Sequence, residues 1–232
     1  MTTYTQLLRS AFRAVGMVFV LGIWVCTANT ADDSHTMHDM AHDTHTHAQT
    51  NHSHHDNHDM LEAMHKPMMQ AKISESGNVD KDFLVDMIPH HQGAIDSAKL
   101  YLQNNPQNQK LQEIAKNIIS SQEAEIKEFH TLLKGELNAT KLSKQQYSQY
   151  LTATKHNANT MMKDMNQVKP SQNIDKDFAQ AMIPHHQGAI DSAKLILQYT
   201  KDTRIQKIAQ DIITAQEREI QDLTQILDEI TK

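Results

Sequence analysis

From about residue 56 to the end, apolar residues recur three and four apart and scarcely ever alternate, which predicts helices and almost no strand. Phe83, Met87, Ala94, Ala98 and Tyr101 fall on one helical face. Leu111, Ile114, Ile118, Phe129 and Leu133 make a second stripe, and Ile205, Ile208, Ile212, Leu223 and Leu227 a third. Asn78 or Asp80 can cap a helix that runs to about residue 103, Asn104-Asn105-Pro106 reads as a turn, and residues 108–134 form the next helix. The same plan recurs over residues 173–198 and 202–230. Ser143 and Gln146 have the spacing of a capping box and open a helix to about residue 167. Its counterpart is a shorter helix over residues 56–70, with Pro67 disturbing its end. Six helices of this kind predict an all-α bundle.

The chain is internally duplicated. Residues 80–99 read DKDFLVDMIPHHQGAIDSAK and residues 175–194 read DKDFAQAMIPHHQGAIDSAK, seventeen of twenty identical at an offset of 95. Ile114, Ala115, Ile118, Ile119, Gln122 and Glu125 then match Ile208, Ala209, Ile212, Ile213, Gln216 and Glu219 at an offset of 94. The unit is a helix–turn–helix preceded by a methionine-bearing helix. Two copies are too few for a solenoid. The expected division is a first helical repeat over residues 59–137 and a second over 138–232.

The N-terminal part has a different pattern. Arg9 and Arg13 precede an apolar run over residues 14–25, and small residues follow at Ala28 and Ala31, the layout of a secretory signal peptide ending by residue 31. The run is shorter than the roughly 20 residues of a spanning helix. Cleavage after Ala28 or Ala31 removes Cys26, the sole cysteine, so a soft-metal site in the processed chain must use thioether and imidazole. Residues 32–58 hold nine histidines with Met37 and Met40 and scarcely any aliphatic side chain, so they are expected to remain disordered and to bind divalent ions loosely. The basic residues, 22 against 28 acidic, are spread along the chain and make no nucleic-acid surface.

Chemistry concentrates on the repeated helices. His90 and His91 fall to either side of the face centred on Met87, and Met182, His185 and His186 repeat the arrangement. Gln122 and Glu125 interrupt the apolar stripe of the following helix, as Gln216 and Glu219 do in the second copy. A carboxylate turned inward is costly unless paired or ligated, so Glu125 and Glu219 are expected to meet the paired imidazoles. Met60, Met64 and Met68 lie four apart with His65 beside them, and Met161, Met162 and Met165 cluster similarly. Methionine on a helix face is commonly core filler. Two histidines, a preceding methionine and a facing glutamate, all kept twice, favour a metal site over a purely structural network.

The strings Asp-Phe-x₃-Met-Ile-Pro-His-His-Gln-Gly-Ala-Ile and Ile-Ile-x₂-Gln-x₂-Glu-Ile, over residues 80–130 and 175–224, resemble the domain-of-unknown-function 305 family of bacterial proteins. The resemblance implies a ferritin-like helical fold, a periplasmic location and copper as the metal. It places Met87, His90, His91, Met182, His185 and His186 at copper sites fed by methionine-rich helices. Where family members commonly carry methionine and tryptophan after the glutamate, this chain has Phe129 and Leu132, and Leu223 and Ile226.

The expectation is therefore a non-enzymatic periplasmic protein that sequesters or delivers copper, chiefly Cu(I), with Cu(II) also accepted. Its partners would be metal ions and a copper exporter or another periplasmic copper carrier, with no nucleic acid and no membrane span after processing. Two alternatives stand beside it. One is a broad Zn, Ni or Cu buffer acting through the histidine-rich segment. The other is a ferritin-like metal oxidase, for which the Glu-x-x-His spacing of Glu62 and His65 is present once and not repeated.

Overall fold

The computed structural model describes residues 50–137 and 139–232, with side chains from Asn57 onward. The expected signal peptide, Cys26 and residues 32–49 of the histidine-rich segment lie outside the described residues. Within them there are six helices and no strand. These are α1 (Thr50–Gln70), α2 (Val79–Gln103), α3 (Gln109–Lys134), α4 (Lys144–Met165), α5 (Ile174–Ile196) and α6 (Thr203–Ile230).

The caps sit where the sequence places them, because short polar side chains satisfy amides that the first helical turn leaves without partners. Asn78 accepts from the amides of Asp80 and Lys81, Asn108 from Leu111, Asn173 from Lys176 and Asp202 from Arg204. Ser143 and Gln146 form the reciprocal capping box. Helix α1 opens at Thr50 and not near residue 56, so the last residues of the span expected to be disordered are helical. Pro67, Pro89 and Pro184 all lie inside continuous helices. None is a break, although Pro89 leaves the Val85 carbonyl without its usual amide partner.

The two repeats are not separate bodies. Helices α2 and α5 pack against each other, α3 lies on α2, α6 on α5, and α3 touches α6. Helix α1 lies on α2 and reaches α5, while α4 lies on α5. The central pair is antiparallel: the Tyr101 hydroxyl, near the end of α2, donates to Asp175 at the start of α5 (2.6 Å), and the Tyr101 and Phe178 rings stack at 4.2 Å.

The identical Asp-Lys-Asp starts of the two central helices act as clamps. Asp82 accepts from the Ser74 hydroxyl, the Ser76 amide and the Tyr147 hydroxyl. Asp177 accepts from the Ser171 hydroxyl and amide and from the Asn57 side chain. Each aspartate thus ties its own loop to the methionine-bearing helix of the other repeat. Asp80 binds the amide and hydroxyl of Thr140, and Asp175 binds the amides of Gln107 and Asn108.

Two apolar cores result, one toward each end of the central pair. The first gathers Ala94, Ala98 and Tyr101 of α2 with Phe178, Ala179 and Met182 of α5. The second gathers Val79, Phe83, Leu84 and Met87 of α2 with Ala189, Ile190, Ala193 and Ile196 of α5. His90, His91, His185 and His186 fall between them along both helices.

Candidate metal centre

That polar layer is built by symmetry of sequence. Because α2 and α5 run antiparallel and carry the same motif at mid-length, their histidine pairs meet. The His90 and His185 rings lie 3.9 Å apart, centroid to centroid. His91, His185 and His186 have no solvent exposure, and His90 has 7 %. The outer pair points the other way, toward α3 and α6. Nε2 of His91 is 2.6 Å from Oε2 of Glu125, and Nε2 of His186 is 2.7 Å from Oε2 of Glu219. Both contacts lie off the ring N–H axis, so the atoms are close without a formed hydrogen bond. Gln122 and Gln216 are buried in the same layer, each with its side-chain carbonyl oxygen unpartnered.

All four imidazoles are buried, and among the described residues none of their ring nitrogens has a formed hydrogen bond, although Nε2 of His91 and of His186 each touches a carboxylate. The rings of His90 and His185 also lie near each other's backbone. Burial, and then the neighbouring imidazoles, hold both well below the usual histidine range. At neutral pH these rings are uncharged and keep a lone pair for a cation. Buried ring nitrogens without a formed hydrogen bond are costly in an apolar bundle, and a ligated ion relieves them. The donor set fits a soft or borderline metal.

The structure sorts the thioethers into two groups. Met60, Met64, Met161, Met165 and Met182 belong to the first core, with Met68 and Met162 packed against it. Met87 belongs to the second core and lines a small cavity with His90, Asp86 and Tyr150. Gly93 brings α1 onto α2: a Cβ there would lie 2.2 Å from the Met64 carbonyl oxygen and 3.6 Å from Nε2 of His185. Gly188 does the same for α4, where a Cβ would lie 2.3 Å from Sδ of Met161. Of the expected ligands, Met68, Met161 and Met162 share a cleft of about 160 Å³ with His90. His65 does not join the histidine layer. It lines a surface groove with Met165 and Leu61, and burial lowers its pKa. Phe129 and Leu223, four residues after Glu125 and Glu219, are fully buried core residues.

Sequence reasoning missed two residues. Asp86 lines both cavities beside His90, and its counterpart in the second repeat is Ala181. Burial, with the Asp82 charge adding to it, pushes its carboxyl up to about 7 against the opposing Ser74 amide bond. Met69, at the end of α1, is 73 % exposed at the rim of the cleft. The lost alignment between Asp86 and Ala181 was a readable signal of the first; no pattern on α1 marked the second. His58, Asp59 and Glu62 form an exposed donor group on α1, of a kind common without a metal.

Fold and site together define a duplicated all-α bundle with a buried, metal-competent histidine layer between its repeats. The model of the Domain of unknown function family DUF305 matches residues 26–133 and 80–227, and the chain belongs to this family. Solved structures of CopM are similar to it. The Cu(I)-bound form is 31 % identical, with 66 % of this chain and 98 % of that one covered and a TM-score of 0.48. An Ag-bound form is 32 % identical over 65 % and 95 %, also with a TM-score of 0.48. A DUF305 fragment from Deinococcus radiodurans is 21 % identical over 65 % and 96 %, with a TM-score of 0.46. Uncharacterized protein L153 of Acanthamoeba polyphaga mimivirus is 49 % identical over 55 residues, so this chain spans about a third (36 %) of that protein's length.

Proposed function

We propose that the protein is an exported copper-binding protein that sequesters or delivers Cu(I), holding it at the histidine layer where its two repeats meet. The observation that carries this reading is the quartet His90, His91, His185 and His186: buried, with ring nitrogens that form no hydrogen bond among the described residues and with thioethers lining the cleft at His90. No cysteine occurs among the described residues, so imidazole and thioether are the donors available to a soft cation. CopM, similar to this chain, is described in Cu(I)-, Cu(II)- and Ag-bound forms, in keeping with this choice of metal.

Glu125 and Glu219 serve as the outer partners of His91 and His186. They fix ring orientation and offset the charge that a cation brings. Among the described residues, Glu125, Glu219 and Asp86 are the carboxylates beside these imidazoles, an imidazole-rich set unlike the paired Glu and Glu-x-x-His shell of a di-iron oxidase, which favours a binding role over a catalytic one. The leader-like N-terminus supports export to the periplasm, where an exporter or another copper carrier would receive the metal. Among the described residues no helix is long and apolar enough to cross a membrane.

The test is a Cu(I) titration against a competing chelator, run on the full chain, on a chain lacking residues 31–49, which leaves α1 whole, and on a variant with all four core histidines changed to alanine. Tight binding should survive the deletion and vanish in the histidine variant, with circular dichroism confirming that the variant stays helical. Loss of all tight binding on deleting residues 31–49 would instead favour the histidine-rich segment acting as a general metal buffer.

A further inference from the structure

The histidine layer is closed on nearly every side, which poses the question of how an ion reaches it. Three of the four imidazoles have no exposed surface. His90 alone retains some, and it lies in the cleft bounded by α1, α2, α4 and α5. On the His185 side the backbone of Met64 sits against Gly93, and Met60 and Met64 are fully buried.

Thioethers line the cleft in a graded order. Met69 at the rim is 73 % exposed, Met68 and Met162 are half-buried, Met161 is 9 % exposed, and His90 is 7 % exposed. Beyond His90 the ring of His185 is fully buried, 3.9 Å away. Met69 is the exposed large hydrophobic among the described residues. Leaving a side chain of that size in water forgoes the stabilisation of burying it, and nothing in the packing of α1 requires a methionine there. Its sulfur is the outermost soft donor on a path whose next donors are also sulfur. Lys72 also lines the cleft, and the Asp86 carboxyl lies in it with His90.

We infer that this cleft is the entry route for a monovalent soft cation, with Met69 as the capture ligand that passes the ion by way of Met68, Met161 and Met162 to His90. Weak thioether donors in sequence allow an ion to move inward without being trapped before the imidazoles. This inference rests on the copper reading and concerns the rate of loading, not the final affinity.

The experiment measures transfer of Cu(I) from its bicinchoninate complex to the full chain by stopped flow, with equilibrium affinity measured in parallel. Met69→Leu keeps the size and removes the sulfur, and it should slow transfer several-fold while leaving affinity unchanged. Lys72→Glu should speed uptake of Cu(I) presented as its cationic acetonitrile complex, more so at low ionic strength, because it replaces a charge at the rim that repels a cation. With Ag(I) added beyond the amount that fills the histidine layer, to protein carrying ¹³C-methyl methionine, the Met69 methyl resonance should shift in fast exchange. Wild-type loading rates in both variants, with no response of that methyl, would overturn the route. An affinity loss in Met69→Leu equal to its rate loss would make Met69 a ligand of the final site and also contradict it. A wild-type chain that takes up no Cu(I) would instead sink the copper reading on which the route depends.

Discussion

His90 and His185 are held neutral by burial, and this couples the fold to pH. Their ordinary value is 6.5, and both lie well below it in the folded protein. Below pH 6.5 the unfolded chain takes up protons that the folded one refuses, so the stability of the metal-free protein falls as pH falls. Each such proton is worth roughly 1 kcal/mol per pH unit. Asp86 pulls the other way. Its carboxyl is raised from 3.8 to about 7, so the folded state holds a proton that the unfolded state has released across that window. Two histidines outweigh one aspartate, and urea midpoints of the metal-free protein should drop between pH 7 and pH 5. Changing His90 and His185 together to glutamine should flatten that dependence. At the same scale, Glu125→Gln or Glu219→Gln removes the carboxylate beside an outer imidazole, and Cu(I) affinity should fall by about 10- to 100-fold in chelator competition. The inward direction of the histidines and the two glutamates was legible from the 3.6-residue period, since polar residues inside an apolar stripe must face the core. The roles of Asp86 and Met69 were not. Both depend on where α4 and the end of α1 lie, and a single helix's pattern does not carry that.

Helix contacts here depend on two glycines that are identical in sequence context but not in what they touch. Alanine at position 93 would drive its Cβ to 2.2 Å from the Met64 backbone oxygen, which cannot move without shifting α1. At position 188 the obstacle is the Met161 thioether at 2.3 Å, on a flexible side chain. Gly93→Ala should therefore destabilise by about 1–3 kcal/mol. Gly188→Ala should cost less, helped by alanine's better helix propensity, while displacing a sulfur from the cleft. Thermal melts of the two variants check the order. Helix boundaries followed from caps that short polar residues announce: Asn78, Asn108, Ser143, Asn173 and Asp202 all cap where the pattern places helix starts. The early start of α1 did not follow, because histidine-rich sequence has too few apolar positions to show a period.

At the level of the folded unit, the duplication makes two halves that complete each other. Asp82 holds Tyr147, Asp177 holds Asn57, and both apolar cores draw on both repeats. A chain of residues 138–232 alone would expose the α5 face that packs on α2, so it should be largely unfolded by circular dichroism, whereas residues 50–232 should melt in one cooperative transition. The repeat itself was plain in the sequence. That its copies interlock was not, since identical halves suit two small bundles as well as one, and only the antiparallel meeting of α2 and α5 decides between them. That meeting also creates the site, because neither repeat alone brings four imidazoles into one layer. X-ray absorption at the copper edge, on the full chain loaded with one equivalent of Cu(I), tests this account most directly. It predicts imidazole nitrogen together with thioether sulfur in the first shell, and loss of the imidazole signal when His90 and His185 are replaced. A first shell of imidazole nitrogen alone, unchanged by those replacements and abolished by removing residues 31–49, would contradict it.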